Sequence, residues 1–296
     1  MVWVVVNLAV SVIKEKGEKQ MEWQIADQKA SVLTEQLSMD LAEGRAWGMK
    51  VDAFGTLTKV TSVFQKPKED DFQLAYKELR YEPFWHIVVM YKSVYQRERQ
   101  YRMAPKGPEV RTVTILGQEF PVEAGQVTLA GMEHCEDEGR VEVWVDGLTG
   151  KRVPNLANFL RFAAKSIESN DLRSFAPQGG IVLAPTMHAA ALVKDVLGGM
   201  VKTVEADEII AEGVAVQAID LYYRPLYAFQ FHWISKDKFG VVECDALTGQ
   251  YSANGKVIKD TPVEMPDSSV IFDLNPAAMD AMLPGGHVTV PGPVKK

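Results

Sequence analysis

The densest run of chemically capable side chains is Glu133-His134-Cys135-Glu136-Asp137. A zinc site draws four ligands from spaced Cys and His pairs, and neighbours on a strand point to opposite faces. This run has no CxxC and no HxxxH, so the reading is a polar loop, with no metal and no cofactor. Cys135 beside His134 or His232 has the residue types of a nucleophile and its base, but nothing in the spacing selects that pairing. Asp146 and Asp245 are a second candidate, as paired carboxylates for acid–base work at about 5–10 Å. With His86 and His232 they would line a ligand pocket. The same aspartates suit turns, where Asp accepts backbone N–H groups. Gly179-Gly180 and Gly198-Gly199 lack the spacing of a phosphate loop.

Residues 91–102 carry a different chemistry. In an extended chain Tyr91, Tyr95, Arg97, Arg99 and Tyr101 fall on one face, where tyrosines stack bases and arginines pair with phosphates. That is a single-stranded nucleic-acid face, and its alternative is a solvated strand whose arginines pair with acids.

The elements that must position these groups follow from periodicity. Ala26, Ala30, Leu33, Leu37 and Leu41 recur at helical spacing, which predicts a helix over 23–47. Residues 78–103 alternate and are rich in aromatic and β-branched types, which predicts one long strand or a hairpin. Strands are expected at 110–116, 119–122, 126–130 and 140–145. A helix should follow Pro154 through Phe159, Leu160, Phe162 and Ile167. Thr186 should cap another through Leu192, Val196 and Met200. A second β region is expected over 213–258. Six of the fifteen prolines fall in the last 35 residues, which reads as an extended tail with one short helix, capped by Asn275 and ended at Gly285.

The strongest signal is self-similarity. Leu79-Arg80-Tyr81-Glu82-Pro83-Phe84-Trp85 matches Leu221-Tyr222-Tyr223-Arg224-Pro225-Leu226-Tyr227, and each copy later reaches an Asp-x-Leu-Thr-Gly turn, Asp146–Gly150 and Asp245–Gly249. Pro83 to Asp146 is 63 residues and Pro225 to Asp245 is 20, so the first copy holds 63 − 20 = 43 more. One supersecondary unit used twice is the natural reading. Tyr227, Phe229, Phe231 and Trp233 should face the core, as should Trp85, Ile87, Val89 and Tyr91.

YAFQFHWISKDKFGVVECDALTGQ, ending in Asp-Ala-Leu-Thr-Gly, resembles the PepSY pattern of aromatic strand, turn, second strand and Asp-Ala-x-Thr-Gly. GRVEVWVDGLTGK resembles its last part. The resemblance implies a small α+β module of the kind found in peptidase propeptides and membrane-associated regulators. It transfers a hairpin topology and no functional residues.

The expected fold is α+β, with two related units, each a helical segment plus a mainly antiparallel sheet, and the first sheet enlarged. The expected divisions are an N-terminal extension (1–21), a first unit (22–152), a second unit (153–260) and a Pro-rich tail (261–296). With 32 Lys+Arg against 39 Asp+Glu the charge is −7, which argues against bulk affinity for nucleic acid or anionic lipid. Two cysteines fit reduced thiols in a cytoplasm better than a secreted scaffold. The apolar Val2–Ile13 run is too short to span a bilayer. It reads as a strand or an upstream extension, with export or tethering as the alternative.

These features lead to a non-enzymatic interaction or scaffold protein, partnered by another protein or by itself. Sheet edges and the tail residues Ile271, Phe272, Leu274, Met279, Met282 and Leu283 are the expected contacts. An enzyme or ligand binder with its site between the units is the alternative, and single-stranded nucleic-acid binding is the second.

Overall fold

The computed structural model describes residues 21–55, 68–168, 171–200, 204–253, 255–258, 264–282 and 286–289. It is an α+β fold built on one ten-stranded sheet and one two-stranded sheet among those residues. Two long strands form its spine, β3 (Phe72–Met103) and β9 (Glu208–Trp233). They run antiparallel and pair from Phe72↔Trp233 to Gln96↔Glu208, with bulges.

The two matching motifs lie against each other in this ladder. Leu79 faces Tyr227, Trp85 faces Leu221, and the central residues Glu82 and Arg224 face one another. Each long strand has an antiparallel return strand on its outer side, β6 (Val127–Asp146) beside β3 and β10 (Lys238–Asp245) beside β9. Asp146 lies opposite Phe84 and Asp245 opposite Leu226, which are equivalent motif positions.

Short strands run parallel to the same outer edges. β2 (Lys29–Leu33) lies on β9 and β8 (Ile181–Val182) on β3. Each leads into a helix, α1 (Met39–Gly48) after β2 and α2 (Ala189–Met200) after β8. Ala42 and Ala46 of α1 bury against Tyr227, Phe229 and Val242. Leu192, Val193 and Val196 of α2 bury against Trp85, Ile87 and Val89. Each helix therefore covers the hairpin of the other segment. Gln36 N–H donates to Ala246 O at 2.9 Å, and Thr186 N–H donates to Gly147 O at 2.7 Å, so even the strand-to-helix connections are fastened in matching fashion.

Several sequence expectations are corrected. Residues 23–47 are not one helix: β1 (Met21–Ile25) and β2 precede α1. The apparent stripe is divided between β2, α1 and the loops before each of them, and Leu41 is 63% exposed. Ladders to β9, remote in sequence, override the local spacing. The segment after Pro154 is a 3-10 helix (Pro154–Arg161) followed by β7 (Ala164–Ile167), not one α-helix. The expected strands at 126–130 and 140–145 are one strand, β6. Thr186 does not cap α2; its hydroxyl donates to Gly147 O at 3.0 Å, while Asp273 Oδ1 accepts the Ala190 N–H of α2 at 2.7 Å.

That aspartate comes from the tail, which is not an extended appendage. After β11 (Tyr251–Ser252), which pairs with β10, the tail forms α3 (Ser268–Ile271), α4 (Pro276–Met282) and β12 (Gly286–Thr289). Ile271, Leu274 and Met279 are buried in the main core, with Phe272 and Met282 packed against it. They are core and not a free contact surface. Asn275 does cap α4, accepting Ala278 N–H at 3.0 Å. The extension 1–20, Leu283 and Gly285 lie outside the described residues. No helix among the described residues is long and apolar enough to cross a membrane.

Candidate functional site

The candidate pocket residues are not brought together. His86 stacks on Trp144 with ring centroids 3.9 Å apart, its Nε2 2.9 Å from Glu142 and its Nδ1 3.5 Å from Asp220. His232 stacks on Phe239 and bonds Asp237 at 3.0 Å. His232 faces Gln73, thirteen residues along β3 from His86, which is roughly 40 Å in a strand. Asp146 and Asp245 stand on the two outer strands of β6–β3–β9–β10, three strands apart and four residues out of register, roughly 19 Å in all. Each caps its own turn. Asp146 Oδ1 accepts Leu148 N–H at 3.2 Å and Thr149 N–H at 2.8 Å. Asp245 Oδ1 accepts Leu247 and Thr248 N–H, both at 2.9 Å. Gly150 and Gly249 close the turns with φ of 69° each.

No group of three or more His, Cys, Asp and Glu among the described residues is placed to hold a metal. Half-buried Cys135 faces Tyr95, and His134 Nδ1 lies 2.8 Å from Gln96 Nε2. An open depression of about 460 Å³ is bordered by Asp27, Gln28, Ser268, Ser269 and Phe272, and contains none of the four candidates.

The basic stretch 91–102 keeps three of its four cations engaged. Arg97 pairs with Glu133 and Arg99 with Glu205, both at 2.6 Å, and Lys92 pairs with Glu136. Tyr101 also donates to Glu133. These two bonds, Tyr101 first and then Arg97, hold the Glu133 carboxyl below its ordinary range. Tyr91 is buried and donates to Glu212 at 3.0 Å.

Two polar clusters escaped sequence reasoning, because each joins residues far apart in the chain. On one face Arg80 is 5% exposed and pairs with Glu78, Glu82 and Glu243. Its Nη1 also donates to Lys256 O at 2.7 Å. Glu82 continues to Arg224 at 2.7 Å. Burial alone would lower the Arg80 pKa; Glu82, Glu243 and Glu78 outweigh it and raise it. On the other face Glu35 accepts the Tyr227 hydroxyl at 2.6 Å and the Tyr81 hydroxyl at 3.1 Å. Burial, reinforced by Glu35, pushes both phenols well above their usual value.

The most distinctive feature is where the two hairpins cease to match. On β9–β10 the last pair is Trp233↔Lys238, closed by residues 234–237. On β3–β6 the equivalent pair is Tyr91↔Gly139, and the ladder continues to Met103↔Val127. Residues 92–138 therefore stand where four residues suffice. The difference, 47 − 4, is the 43-residue excess of the sequence. Its twelve paired positions make an arm roughly 40 Å long. The arm ends in a small hairpin, β4 (Thr112–Ile115) and β5 (Gln118–Pro121), steadied by fully buried Val127.

At the tip Leu116 and Gly117 form a two-residue turn with φ of 50° and 84°. Such turns favour Asn-Gly, since a bulky residue at positive φ is strained. Leu116 is also fully exposed, and Tyr101, Met103 and Met132 along the arm are exposed as well. A Leu-Gly pair between alternating runs was the available signal.

No family model matches this chain, and no curated protein or solved structure matches it either.

Proposed function

We propose that this protein is a non-enzymatic interaction protein that presents the β3–β6 arm to a protein partner. The observation that carries the reading is the arm itself. Residues 92–138 replace a four-residue closure and end on a strained, fully exposed leucine. Strained backbone points to function more often than to stability, and exposed aliphatic and aromatic groups along a β-ribbon suit protein contact. The dispersal of His86, His232, Asp146 and Asp245 into local bonds supports this over a pocket between the units. The carboxylates paired with Arg97 and Arg99 support it over the nucleic-acid reading. Matched ladders, turns and helix connections support descent from one duplicated module, and their order fits the PepSY-like resemblance.

The test is native capture with the full chain and with a variant in which residues 92–138 are replaced by Ile-Ser-Lys-Asp, the sequence that closes β9–β10. Partners captured by the full chain and lost by the variant are expected. Identical capture by both would remove the arm from the account.

A further inference from the structure

Beyond its tip, the arm has an open side. Among the described residues, β3 is the only strand that pairs with β6. Among the same residues, its outer edge is occupied only near its end, where Asp146 N–H donates to Lys151 O and Val153 N–H to Trp144 O. From Thr128 to Glu142 no backbone partner lies on that edge among the described residues. An unpaired edge of this length is a template for another strand.

The charge on it is one-sided. Glu133–Glu142 holds five acids against Arg140 alone, 1 − 5 = −4; Glu133 and Glu136 pair with Arg97 and Lys92, and Glu142 with His86 and Arg140, which leaves Asp137 and Glu138 outside the ion pairs of the described residues. The inner side of β6 already displays the arrangement that satisfies this charge, since Lys92 and Arg97 of β3 pair with Glu136 and Glu133. A second β6 laid against the first would set carboxylate beside carboxylate, which disfavours self-pairing. A strand carrying Lys or Arg would repeat on the outer side what β3 does on the inner side. The same acids thus reject one class of strand and select another.

We infer that the outer edge of β6 accepts an extended, Lys/Arg-rich segment of a partner protein by strand addition. Backbone pairing supplies the contact and the acids supply the choice. This rests on the arm being the contact element.

The test titrates a labelled, end-capped peptide of alternating Lys and Val into the full chain and follows its anisotropy. Three comparisons accompany it: alternating Glu and Val, a fully N-methylated Lys-Val peptide, and the Asp137→Lys/Glu138→Lys variant checked by thermal melting. The inference expects saturable binding of the Lys-Val peptide that weakens with salt. It expects none for the Glu-Val peptide, and at least roughly tenfold weaker binding for the N-methylated peptide and for the variant. Equal binding of the N-methylated peptide would mean charge attraction without strand pairing and would overturn it. So would binding unchanged in the variant, or no binding of Lys-Val at all. If arm-dependent capture persists through such a failure, the interaction reading stands and only the partner class falls.

Discussion

Arg80 sits among three carboxylates with its side chain 6% exposed. Removing it leaves Glu78, itself fully buried, without its cation, while Glu82 keeps only Arg224. Arg80→Ala should therefore lose about 3–5 kcal/mol in urea unfolding; a loss below about 1 kcal/mol would show the cluster to be solvated. Leu116 predicts the opposite sign. Asn tolerates its φ of 50°, so Leu116→Asn should stabilise the arm tip by about 1 kcal/mol, read as slower hydrogen exchange over 112–121. The tyrosines set an alkaline limit. Burial, then Cys244, pushes Tyr251 up to about 12, and Tyr81, Tyr223 and Tyr227 are also raised. A phenol whose folded-state value is raised contributes stability that is intact below its ordinary value near 10. That contribution is lost as pH rises through the folded-state value. Melting temperature should fall above pH 10, and the phenolate absorbance of these groups should appear with unfolding. A simple titration at pH 10 in the folded protein would contradict the burial.

Among the elements, the two Asp-x-Leu-Thr-Gly turns make the matched geometry measurable. Gly249→Ala adds a Cβ at φ 69° into open space, whereas Gly150→Ala adds one 3.2 Å from Met187 at the same φ. Both should lose about 1 kcal/mol for the backbone, with the larger loss at Gly150. Chemical unfolding of the two variants checks this. The turns, the long strands and their core faces were legible in sequence because each depends on local residue type and alternation. Trp85, Ile87, Val89 and Phe229 are buried as the alternation requires. The short strands β1 and β2 were not legible, because partners on β9 nearly two hundred residues away select them. The tail misled for a related reason. Its prolines describe a chain path, while Ile271, Leu274 and Met279 fill a core assembled from distant strands.

At the scale of the whole molecule, the 43-residue excess was visible in sequence, but its form was not. Residues 78–103 read as one long strand or a hairpin, and 126–130 and 140–145 read as separate strands. The structure runs 126–130 and 140–145 together as β6 and pairs it with β3 over the whole length from Phe84↔Asp146 to Met103↔Val127. The candidate site was legible only as residue types. His86, His232, Asp146 and Asp245 carry the right chemistry, and ladder register keeps them apart. The architecture also says what should happen when the arm is removed. Its base flanks Glu208–Glu212 of β9, while the core lies on the body strands beneath α1 and α2. The most direct measurement of the central claim is native capture with the full chain and with the chain in which Ile-Ser-Lys-Asp replaces residues 92–138. The account predicts a variant that still melts cooperatively and no longer retains the partner of the full chain. A folded variant that retains the same partner would contradict it.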